Sequence, residues 1–123
     1  MVTSHPARNR GIVLVELVVA LAILGSVVLT IAYATMLEIR SLRAAYNRAV
    51  AIGIVDGEIE ILAAGGWKAW AEGEHDLDPD AAAAANLPPG RFVLTRSPGF
   101  VRVAWEPADA GRGGSVVREA RIQ

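Results

Sequence analysis

Cysteine is absent from all 123 residues, which excludes a disulfide framework, a thiolate metal site and a cysteine nucleophile. Histidine is nearly absent. His5 and His75 are the only two, so a metal centre built from several imidazoles is excluded as well. An excess of one charge is also missing: 12 Lys and Arg face 13 Asp and Glu, for a net charge of −1. That balance leaves no electrostatic footprint for nucleic acid. No nucleophile and base stand in a recognisable pattern, so the chain is not expected to be an enzyme. Its length allows one small domain.

What is abundant is apolar. Hydrophobic residues make up 53% of the chain and charged residues 20%, and the surplus is concentrated between Ile12 and Leu37. Glu16 is the only charged residue of that run, and Leu17–Leu37 has none. As a helix the run would be about 39 Å long, enough to cross the ~30 Å hydrocarbon core of a bilayer with some tilt. It has no polar stripe of the kind that marks a helix half-buried in a soluble core. The sequence therefore predicts a membrane span. The run is longer than the ~7–15 apolar residues of a secretory signal, and no polar mature start follows it. Arginines lie on both sides (Arg8 and Arg10 before, Arg40, Arg43 and Arg48 after), so charge counting does not orient the span.

Glu16 is the anomaly. An acidic residue inside a span costs about 2.5–3.5 kcal/mol at the centre and less near an end, and such residues mark function or a charged partner. Arg10-Gly11 followed by Ile12-Val-Leu-Val-Glu16-Leu resembles the cleavage and methylation signature of type IV pilins and of type II secretion pseudopilins. The shared pattern is a short basic leader ending in Gly, four apolar residues, then Glu opening a long apolar helix. It covers residues 8–37.

The resemblance implies that residues 1–11 are a leader, removed between Gly11 and Ile12 by a prepilin peptidase. Ile12 would be N-methylated, and Glu16, then the fifth residue, would meet the N-terminal amine of a neighbouring subunit. An ammonium and a carboxylate are each costly in lipid and less so when paired, so the pair would set register between subunits. The implied partners are the peptidase, other pilin or pseudopilin subunits, an inner-membrane assembly platform and the bilayer. The implied location is the bacterial inner membrane, with the head in the periplasm. Gly25 matches a helix-weakening glycine of the family, whereas Tyr33 stands where a proline often follows. That departure and the short head lean toward a minor subunit. The sequence leaves open a type II secretion pseudopilus, a type IV pilus, a DNA-uptake machine, and an uncleaved signal-anchored protein with an independent binding head.

Residues 38–123 would form that head, including the second half of the helix. Leu42, Ala45, Ala49, Ile52, Val55, Ile59 and Leu62 step by three or four, which predicts an amphipathic face packed on a sheet. Gly65-Gly66 predicts its end. Gly53 and Gly57 leave room for a strand or another subunit. Residues 67–90 read as a loop with a helical turn at 81–85, and Trp67 and Trp70 as a cover for the core. Three strands are expected, at 91–96, 100–105 and 115–122, with Arg102, Arg118 and Arg121 on the solvent face. The expected fold is thus α+β: a pilin-like lollipop, with a long helix on a small antiparallel sheet. Asp76, Asp78 and Asp80 are a weak calcium candidate, because some pseudopilins bind calcium in a head loop. An EF-hand is excluded, since Ala81 and Leu87 stand where it needs Gly and Glu. No other cofactor is expected.

Overall fold

The computed structural model describes residues 6–123, with side chains from Arg10 onward. Helix α1 runs from Pro6 to Ala63. Proline suits its first position, where the missing N–H has no intrahelical acceptor to satisfy. α1 thus begins inside the expected leader and passes unbroken through Gly11 and Ile12. It ends where expected: the Ala64 N–H reaches the Glu60 carbonyl at 3.0 Å, and Gly65 turns the chain at φ 123°, a conformation open to glycine.

The chain divides into two compact units, Met1–Ile39 and Arg40–Gln123. In the first, every described side chain is exposed. In the second, α1 is followed by strands β1 (Gly73–Leu77), β2 (Gly90–Ser97), β3 (Phe100–Pro107) and β4 (Val116–Arg121); a tight turn at Pro98-Gly99 joins β2 to β3, and the other connections contain short 3-10 turns. The strands form one antiparallel sheet in the order β1-β2-β3-β4.

Alternation along the strands sorts their side chains onto two faces. Phe92 and Leu94 of β2, Val101, Val103 and Trp105 of β3 and Val116 of β4 pack with Ala51, Ile54, Val55 and Leu62 of α1 in one core. Leu94, Val55, Val101 and Val103 are its largest fully buried side chains, each contributing about 1.5–3 kcal/mol of transfer free energy. Phe92 and Trp105 face each other across the strands, with ring centroids 4.6 Å apart.

The second unit corrects the sequence reading in three places. A fourth strand, β1, lies in the segment expected to be a loop. Its pattern is hidden because Leu77 is its only strongly apolar residue, while Glu74 and Asp76 point away from the core and meet Arg91 of β2, each at 3.7 Å. The backbone ladder with β2 supplies what the side chains do not. Arg118 is the second correction. Its register opposite Val103 puts it on the helix side of the edge strand, where its Nε donates to Asp56 Oδ1 of α1 at 2.8 Å. Arg102 does lie on the outer face, near Glu119 at 3.8 Å.

The third correction concerns the buried face of α1. Leu42 is 62% exposed, and Ala45 and Ala49 are exposed too, so the first turns of the expected stripe are not core. The helix meets the hydrophobic core only from Val50 onward. Earlier turns are held by a polar contact instead: Arg48 Nη1 donates to the carbonyls of Gly113 and Ser115 at 3.0 and 3.3 Å. Gly113 is required there, because a Cβ would lie 2.8 Å from the Ala44 carbonyl oxygen.

The expected cover is present. Trp67 and Trp70 pack half-buried on the core after the helix ends. The Arg96 guanidinium stacks 4.7 Å from the Trp67 ring centre and donates to the Trp70 carbonyl. His75 donates from Nε2 to the Ala71 carbonyl at 2.8 Å and lies beside Trp70. The helical turn expected at 81–85 is a 3-10 turn, Ala82–Asn86.

Candidate functional site

Gly11, Ile12 and Glu16 lie on consecutive turns of α1, all exposed. Glu16 makes no ion pair with any described residue, and neither does any other side chain of the run to Leu37. The run contains an 18-residue window with a mean hydropathy of 2.9, none of it buried, and the helix is long and apolar enough to cross a membrane. Its aliphatic hydroxyls are already satisfied. Ser26 donates to the Ile23 carbonyl at 2.7 Å, Thr30 to Ser26 at 2.8 Å and Thr35 to Ile31 at 2.9 Å. Hydroxyls that return their protons to the preceding turn leave no donor stranded in hydrocarbon. Among the described residues of the run, Glu16 and the Tyr33 hydroxyl are left without a partner, and Glu16 alone of the two is charged.

Past Ile39 a few large apolar side chains of α1 remain exposed. Leu42, Tyr46 and Ile61 stay more than 60% exposed. Between them Gly53 and Gly57 have nothing within 4 Å of where a Cβ would stand. Among the described residues no strand approaches these glycines, so their room is unused within the chain. They floor a shallow groove of about 410 Å³ with Val50, Ile54, Glu58 and Ile61 on α1 and Ala81 and Ala83 opposite. The Glu58 carboxyl is pushed above its ordinary value, first by burial and then by Asp80 nearby. A second concavity, of about 490 Å³, lies nearer the start of the head and is lined by Arg40, Arg43, Ala44, Asn47 and the 109–112 turn.

The spacing of Leu42, Tyr46, Gly53, Gly57 and Ile61, in steps of four and seven, is present in the sequence. It escaped the reading because alanines at 45 and 49 fit a competing stripe equally well, and only the position of the sheet decides between them.

Asp76, Asp78 and Asp80 are divided rather than gathered. Asp76 sits on β1 near Arg91, Asp78 follows the strand, and Asp80 lies near Glu58. Among the described residues no three His, Cys, Asp or Glu side chains are grouped to hold a metal ion. The three aspartates as arranged do not fit calcium.

The architecture, a long apolar N-terminal helix whose later turns pack on a small antiparallel sheet, is pilin-like. Compared with models of known families, with curated proteins and with solved structures, the chain matches none.

Proposed function

We propose that the chain is a prepilin-type structural subunit, cleaved between Gly11 and Ile12 and assembled with other subunits through α1. The observation that carries this reading is the coincidence of two features on one helix. The Arg10-Gly11-Ile12…Glu16 signature lies near the start of α1, and α1 exposes large apolar side chains in both units, all round in the first and at Leu42, Tyr46 and Ile61 in the second. Apolar exposure of that kind on a monomer marks an association surface. Cleavage would create an ammonium at Ile12, four residues before Glu16, and pairing it with a neighbour's Glu16 would remove two desolvation costs together. Among subunits of this type, the small head and Tyr33 in place of a proline favour a minor pseudopilin of type II secretion. A minor pilin of a type IV pilus or a DNA-uptake machine shares both features.

The test is the N-terminal sequence and mass of the protein from native membranes, with and without prepilin peptidase. The expected result is a peptidase-dependent start at methylated Ile12. Glu16→Ala should insert at least as well as wild type, since it removes an acid worth up to about 2.5–3.5 kcal/mol in lipid, yet fail to co-purify with partner subunits. An intact leader in cells with active peptidase overturns the proposal in favour of a signal-anchored protein. Deleting the gene then separates the machines. Loss of protein secretion alone assigns the chain to type II secretion, and loss of pilus-dependent motility or DNA uptake assigns it to the others.

A further inference from the structure

The head holds two surfaces of opposite charge that it does not neutralise itself. Glu58 and Asp80, beside the apolar groove, make no ion pair with any described residue. The same is true of Arg40 and Arg43 at the basic concavity, where Arg112 instead approaches Asp109 at 3.7 Å. Along α1, Arg40 and Glu58 are 18 residues apart, five helical turns, and so share one face while standing about 27 Å from each other. They cannot meet within one copy.

Shape agrees with charge. The groove has a glycine floor and an apolar lining, and the basic surface carries an exposed aromatic, Tyr46, one turn from Arg43. We propose that the apolar groove beside Glu58 and Asp80 of one copy receives the Arg40–Arg43 face of a second copy of this chain, with Tyr46 over the glycines. The contact joins unlike surfaces and is therefore heterologous, and it requires more than one copy of the chain in each assembly, as a minor pilin can provide. It rests on the subunit reading above and adds to it the partner and register of the head. The Glu58 carboxyl, held up by its own surroundings, gains from a cation that arrives only with the neighbour.

The absence of native cysteine gives a clean background for cross-linking. Full-length chains carrying Ala83→Cys, beside the groove, and Asn47→Cys, beside the arginines, are co-expressed and oxidised in native membranes. The N-terminus is sequenced on the same samples. A mixed 47–83 dimer is expected. Arg43→Glu in one chain, or Glu58→Arg in the other, should reduce it about tenfold through like-charge contact, and the two together should restore it. Restoration also shows that both variants fold.

A mixed dimer with the expected loss and rescue supports the contact. Only like-with-like dimers, or a start at Ile12 with no mixed dimer, overturn the contact and leave the subunit reading standing. A loss on Arg43→Glu that Glu58→Arg does not rescue, together with weaker binding to vesicles of anionic phospholipid, overturns it in favour of lipid headgroups as the partner of the arginines. A mixed dimer on chains with an intact leader supports the contact and overturns the processing reading.

Discussion

The unit that ends at Ile39 and the unit that begins at Arg40 share one helix and use their apolar residues in opposite ways. In the first, Leu, Ile and Val at every angle around α1 are exposed, and no described side chain is buried. In the second, the large and apolar side chains of α1 divide: Ala51, Ile54, Val55 and Leu62 enter a core with the sheet, while Leu42, Tyr46 and Ile61 remain outside. An all-round apolar surface is stable only where the solvent itself is apolar, whereas a divided one matches a helix with water on one side. The difference teaches that the composition of a turn records the medium around it, and that helical geometry alone does not.

Truncating one leucine in each unit tests that division most strongly. Leu94 is fully buried in the core, so Leu94→Ala should cost about 2–5 kcal/mol, the transfer term plus a cavity. For a domain of this size that is a large part of its stability. Leu24→Ala removes the same atoms from an exposed position of the first unit and should leave the melting of the head unchanged. Thermal unfolding of the full chain in detergent reads both. Equal losses would mean that the two units share a core, and the comparison would fail.

The glycines give a smaller contrast. At Gly90 a Cβ would lie 2.6 Å from Trp105 Cη2 and 2.7 Å from the Glu106 carbonyl oxygen. Gly90→Ala therefore forces the β2–β3 hairpin apart at its base, for about 1–3 kcal/mol of overpacking. Gly25 in the first unit has nothing within 4 Å, and Gly25→Ala should leave the head's unfolding midpoint where it is. The same melts check it, and a Gly90→Ala variant as stable as wild type would show that the strand end is free to shift.

How far the sequence carries the fold follows the same line. Where burial is signalled by many residues in step, the reading and the structure agree: the long helix, its end at Gly65-Gly66, and the alternation of Val101, Val103 and Trp105. The charges of β1 hide it, because an edge strand is held by backbone pairing that leaves little trace in side-chain pattern. The rotation of the α1 stripe was ambiguous for a different reason. Two interleaved series fit the turns between Leu42 and Ile61, and the choice depends on where the sheet formed by the later residues comes to lie. Arg118 shows the same dependence, since its register, fixed by β3, turns a surface arginine into a partner for Asp56. At the candidate site, Gly11, Ile12 and Glu16 are legible because their signal is local and ordered. The groove at Gly53 and Gly57 is not, because an unfilled space has no residues of its own.

Of the four carboxylates on α1 that lack a cation among the described residues, Glu16, Glu38, Glu58 and Glu60, two stand apart: Glu16 among apolar side chains and Glu58 at the groove. They sharpen the comparison at its smallest scale. Glu58 is only partly buried, and water can still reach it, so the head tolerates its charge at a modest cost. Its folded-state value lies above the ordinary one, through burial and then through Asp80. Between those two values the folded state binds more protons than the unfolded state, so stability must fall as pH rises through that window. The contribution is fully present below the ordinary carboxylate value and is lost once the pH exceeds the raised one. Glu58→Gln cannot ionise, so its melting temperature should lose this part of the pH dependence and exceed that of wild type at neutral pH by a small margin. Asp80→Asn removes the second cause alone and should shift the descent to lower pH without abolishing it. Melts of wild type and both variants from mildly acid to neutral pH check the order. Parallel curves for wild type and Glu58→Gln would mean that the groove is as wet as the surface around it, and would remove the distinction between a carboxylate waiting for a neighbour and one facing solvent.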